Sequence, residues 1–169
     1  MAKPIQGEYG AFYEGYISKV DSSNLHEAVN TYSHPLSYFY VNLPEEKADY
    51  RYAPEKWTLN DLLQHVIDTE RIMQYRLLRI ARNDSTALPG FEENDYAISA
   101  NASLRSFVSL KEEFIALRKS TDLLIQSLNE EQLNNIGKAS GNNITANAVG
   151  YIIFGHMMHH KKIIEERYL

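Results

Sequence analysis

The chain has 169 residues, 17 basic against 22 acidic for a net charge of −5, and no cysteine. That length is one domain's worth, residues 1–169, and a domain of this size buries roughly 68–70% of the surface its unfolded chain exposes, so it needs no cross-links. The missing cysteines exclude a disulfide scaffold, a Cys-ligated zinc finger, an Fe–S protein and a cysteine nucleophile, while the acidic balance disfavours nucleic acid as a partner.

The first ten residues, Met1 to Gly10, lack the apolar core of a signal peptide. Tyr9, Phe12, Tyr13 and Tyr16 then predict a short aromatic-rich helix within 1–23, packed on the rest of the fold. Leu25, Val29, Tyr32, Leu36, Phe39 and Leu43 follow steps of three and four, the mark of a helix kinked or split at Pro35 and closed by Pro44. Thr58 and Asp61 resemble a capping box, and Leu62, Val66, Thr69, Met73, Leu77 and Ile80 form one apolar stripe behind it. A third helix is predicted from about Ser103 to Leu128, with Leu104, Phe107, Val108, Phe114, Leu117, Thr121, Leu124 and Leu128 inward. A fourth starts at the N-cap Thr145 and runs almost to the C-terminus through Val149, Ile152, Ile153, Met157, Ile163 and Ile164.

Four amphipathic helices of similar length predict an all-α fold, a four-helix bundle with long inter-helix connections at 44–57, 83–102 and 129–144. Asn83 to Ala100 is long enough to cross the bundle end and cover part of a site. The most apolar run, Ala148 to Met158, contains His156 and is too short to span a bilayer, so no membrane partner and a cytoplasmic location are expected.

The chemistry lies in the histidines. His156 and His160 stand four residues apart on the apolar face of the last helix, one turn above each other, where two neutral imidazoles can chelate one divalent ion. His159 lies about 60° round from His156. His65 sits on the shoulder of the second stripe, about 60° from Leu62, within reach of a neighbouring helix. His26 and His34 fall off their stripe and are expected at the surface. Asp68, one turn after His65, is placed to accept that ring's free N–H; the alternative is that Asp68 and Glu70 are exposed charges paired with Arg71 or Arg76. Tyr9, Tyr13 and Tyr151 are candidate polar groups of a pocket. There is no phosphate-binding glycine loop, no zincin motif and no nucleophile elbow.

Lys56-Trp57-Thr58, the run His65-Val-Ile-Asp68-Thr-Glu70-Arg71, and Gly155-His156-Met-Met-His159-His160 together resemble the motifs of the DinB-like (DinB/YfiT) family of metalloenzymes. The resemblance spans the chain from about residue 24. It implies a bundle in up-down-down-up order and one divalent metal, nickel or zinc, held by His65, His156 and His160, with His159 an extra histidine outside the ligand set. It also implies a thiol S-transferase joining a low-molecular-weight thiol to a small-molecule electrophile, and a homodimer. The ligands alone leave open a metal-dependent hydrolase, or a helical binding module in which the metal is structural.

Overall fold

A computed structural model describes residues 1–169. Its frame is four long helices: α2 (Leu25–Val41), α3 (Leu59–Ala81), α5 (Phe107–Gln126) and α7 (Ala146–Arg167). Each begins at a side-chain cap, in turn Asn24, Thr58, Ser106 and Thr145, so each start is encoded locally. At Thr58 the box is complete: its hydroxyl accepts from the Asp61 N–H at 3.1 Å and the Asp61 carboxylate accepts from the Thr58 N–H at 2.9 Å. Pro35 stays inside α2, which runs on unbroken.

Cross-helix contacts give the helix directions. Leu25 meets Gly150, Tyr32 meets Phe154, and the Tyr40 hydroxyl donates to the Met157 carbonyl, so α2 and α7 run parallel. Arg71 pairs with Glu113 and Gln74 bonds Ser120, so α3 and α5 are parallel as well. Ser33 bonds Asp122 whereas Lys111 reaches the Leu43 carbonyl, so α2 and α5 are antiparallel. The order is up-down-down-up. Around the bundle α2, α7, α3 and α5 follow one another, and the α3–α7 seam is the largest helix contact. A core of aliphatic and aromatic side chains from all four fills the centre.

The connections hold more structure than their sequence suggests. In 83–102 lies α4 (Glu93–Ala100), a helix with no buried residue. In 129–144 a short helix α6 (Glu130–Asn134) leads into a hairpin of β1 (Ile136–Ala139) and β2 (Asn142–Thr145), turned by Ser140 and Gly141, both at positive φ. Leu88 bridges to Ala139, so this small sheet ties the connection before α4 to the one before α7. The expected start of the third helix at Ser103 is corrected to Phe107. Ala102–Leu104 is a separate 3₁₀ turn, which leaves Leu104 85% exposed, and Val108 also faces outward. The inward face of α5 is instead Phe107, Leu110, Phe114, Leu117, Thr121 and Ile125.

The N-terminal segment is a 3₁₀ turn (Ala11–Tyr13) passing into one turn of helix, α1 (Glu14–Ile17), laid against α7. Tyr9, Tyr13, Ile17 and Val20 are buried, while Phe12 is exposed and Tyr16 half-buried. Gly155 makes this approach possible, since a Cβ there would collide with the carbonyl oxygen of Tyr16. The seat of α1 on α7 therefore lies one residue before His156. No helix is long and apolar enough to cross a membrane.

Candidate metal centre

His65 enters from the second turn of α3, and His156 and His160 from successive turns of α7. All three are buried. Their Nε2 atoms converge on one another: His65 to His156 3.1 Å, His65 to His160 3.2 Å, and His156 to His160 3.1 Å. Three nitrogens held about 2.0–2.1 Å from one tetrahedral ion lie about 3.3 Å apart, close to this triangle. Hydrogen bonding alone cannot satisfy it, because an N–H directed into the triangle reaches one lone pair and leaves the other facing a neighbour. The donor set therefore fits a divalent ion, and these are the only side chains of the chain grouped in this way.

Electrostatics agree with the geometry. Burial pushes the pKa of His65 down to about 4 and that of His160 to about 3, and lowers His156 well below the ordinary imidazole range. All three are neutral near pH 7, the form that ligates.

The rings are oriented mainly by packing. Trp57 lies tilted on His65 at 4.7 Å between centroids, and Tyr16 stands edge-on to His156 at 5.5 Å and to His159 at 5.4 Å. His159 is half-buried outside the triangle, against Tyr16 and His160. His160 Nδ1 is buried without a hydrogen-bond partner. Asp68 does not meet His65: its carboxylate accepts from Gln64 at 2.9 Å on the α4 side of α3, beside Arg105. The alternative of Glu70 as an exposed charge paired with Arg71 or Arg76 is also corrected. Glu70 is buried against Arg118 at 2.6 Å, and Arg76 is buried too. His34 is exposed as expected, whereas His26 is half-buried.

Two cavities flank the triad. The first, about 280 Å³, is walled by His65 and His156, by Thr69, Met73 and Arg76 farther along α3, by Phe12, Tyr13 and Tyr16, by Phe91 and Glu93, by Ser140 and Asn142 of the hairpin, and by Ile152. The second, about 240 Å³, reaches His160 past Trp57, Tyr52 and Tyr168. Glu93 is the one carboxylate on the walls of both. Of the three tyrosines singled out in the sequence only Tyr13 lines the first cavity. Tyr9 bonds Glu14, and Tyr151 bonds Ser22 inside the fold. Phe91, Glu93, Ser140 and Asn142 went unread because they sit in connections, where no periodicity marks a face.

A family profile described as the DinB superfamily matches residues 35–164, most of the chain and all three histidines. The chain belongs to the DinB superfamily. Its fold is similar to that of YfiT from Bacillus subtilis, described as a probable metal-dependent hydrolase with an unusual four-helix bundle topology. The superposition has a TM-score of 0.69 at 17% identity and covers 97% of this chain and 90% of that one. An Oceanobacillus iheyensis protein named "Putative metal-dependent hydrolase OB0413" is 26% identical over 96 residues. That match takes in 55% of this chain, which spans about half the length of the relative (56%).

Proposed function

We propose that this DinB-superfamily chain is a metal-dependent hydrolase acting on a small molecule, with His65, His156 and His160 as the ligands of one divalent ion. The observation that carries the reading is the buried triangle of three neutral Nε2 atoms with cavities on two sides. The thiol S-transferase expected from the resemblance gives way to this reading, because both relatives above are described as hydrolases.

A divalent ion with three neutral ligands keeps its full charge and supplies Lewis acidity, acidifying water and polarising a carbonyl. The chain's own groups do the rest. Trp57 and Tyr16 fix the ring planes. Phe12, Tyr13 and Phe91 give the first cavity an aromatic wall on which the apolar part of a substrate can pack. Glu93 borders both cavities, where its carboxylate is placed to accept the proton that hydrolysis releases.

The test is reconstitution. Chelator-treated chain, reloaded in turn with zinc and nickel, is assayed on panels of small esters, amides and phosphoesters, with His156→Ala in parallel. Hydrolysis that appears with metal, vanishes in His156→Ala and falls strongly in Glu93→Gln is the expected result. A metal-loaded chain that cleaves nothing in the panels, yet transfers an added thiol to an electrophile, overturns the reading.

A further inference from the structure

The first cavity does not end at the metal centre. Its far wall carries Arg76, three turns after His65 on the same face of α3, or about 16 Å farther along the helix axis. Arg76 is only 3% exposed, and no carboxylate lies within ion-pair distance of it. Its partners are neutral. Nη2 donates to the Pro89 carbonyl at 2.7 Å and to the Ser140 hydroxyl at 3.1 Å, and Nη1 reaches only the Met73 sulfur at 3.7 Å. The guanidinium faces the ring of Phe91 at 5.9 Å. Between Arg76 and His65 on this face, the Thr69 hydroxyl oxygen is buried with no hydrogen-bond partner. A buried, permanently charged group without a counter-ion is costly to hold, and so is a buried hydroxyl without a partner. Both stand on the wall of a cavity that opens at its other end on two of the three histidines.

We infer that the cavity binds an elongated substrate carrying one carboxylate, which pairs with Arg76 while Thr69 bonds a polar atom nearer the histidines. This assignment rests on the hydrolase reading for what happens at the metal end, but not for the anion site itself. Arg76 is the one cationic side chain on the wall and Glu93 its one carboxylate, so the wall has no positive charge to spare for a phosphate dianion. A planar guanidinium suits a planar carboxylate, and its donors to Pro89 and Ser140 hold it in place beforehand. Phe91, Met73 and Ile152 give the middle of the cavity an apolar lining, so the linking part of the substrate is hydrophobic.

The experiment compares two probes of nearly equal shape, 4-phenylbutyrate and 4-phenylbutanamide, by calorimetric titration of the metal-free chain. The carboxylate is expected to bind at least about tenfold more tightly, as a charge-assisted pair with a buried guanidinium should. Arg76→Gln is expected to abolish the preference, and Arg76→Lys to keep part of it. Equal affinity for the two probes in the wild-type chain, or no binding of either, overturns the assignment and leaves Arg76 as a tie between α3 and the hairpin. That comparison does not depend on any variant folding. A second titration, of the zinc-loaded chain with acetohydroxamate, reads the metal end separately. Hydroxamate binding with no carboxylate preference sinks the anion site alone; a carboxylate preference in a chain that takes up no zinc sinks the hydrolase reading alone.

Discussion

The two sides of α3 bury polar groups in opposite ways. Toward α5, Glu70 and Arg118 are each 2% exposed and paired at 2.6 Å, Asp122 adds a second carboxylate to Arg118, and Ser33 of α2 bonds Asp122. Phe154 of α7 covers the guanidinium at 5.0 Å. The four helices meet there around charges that are paired within the protein, although Glu70 Oε2 and Arg118 Nε have no hydrogen-bond partner of their own. On the cavity side, His65, Thr69 and Arg76 are buried as well, but the His65 nitrogen meets only two other histidines, the Thr69 hydroxyl has no partner, and Arg76 bonds only neutral groups with no carboxylate beside it. What separates the two sides is charge pairing: an ion pair inside the fold holds it together, whereas a buried cation without a counter-ion and a donor set without its ion leave a place for something from outside.

Breaking the closed side should cost most. Glu70→Gln leaves a buried guanidinium with Asp122 as its one carboxylate and is expected to lose about 3 kcal/mol of stability in urea unfolding. A loss below about 1 kcal/mol would mean that Arg118 is solvated in a way its burial does not suggest. Gly155→Ala attacks the seat of α1 against α7 and should lose about 1–3 kcal/mol, the usual range for overpacking. Because Tyr16 moves with that seat, metal affinity should fall in the same variant, measured by competition with a chromogenic chelator.

The open side should respond to acid. In the metal-free chain His65 and His160 refuse protons until about pH 4 and 3, while the unfolded chain takes them up near pH 6.5. The unfolded state therefore binds more protons between those values, and stability must fall as pH drops from about 6.5 toward 4. Melting curves across that range should show the decline, and His65→Ala should flatten it. The smallest effect is expected at Asp68. Since its partner is Gln64 rather than His65, Asp68→Asn should leave metal affinity within about twofold of wild type, against the 10–100-fold loss typical when a residue orienting a ligand is removed.

The sequence displays the closed and open sides unequally. Stripes such as Leu62–Val66–Met73–Leu77 and the pair His156/His160 are legible because helical spacing alone puts such residues on one face. His65 is legible as a shoulder position, though nothing local says which helix it reaches. Glu70 and Arg118 lie 48 residues apart and each reads alone as a surface charge, because only the packing of α3 on α5 brings them together. Leu104 misleads since its spacing continues the α5 stripe, while the Ser106 cap resets the register after it. The hairpin has one local signal in the sequence, the Ser140-Gly141 pair, a turn dipeptide between two four-residue strands. That turn carries the wall that Ser140 and Asn142 give the cavity.

The proposed function depends on three histidines from two helices holding one ion. Elemental analysis of untagged chain, purified without added chelator, measures this most directly, with His160→Ala and the surface variant His34→Ala beside it. The expected result is close to one divalent ion per chain in the wild type and in His34→Ala, with none retained by His160→Ala. Full occupancy in His160→Ala, or no metal in wild-type chain even after incubation with zinc and nickel, would contradict it.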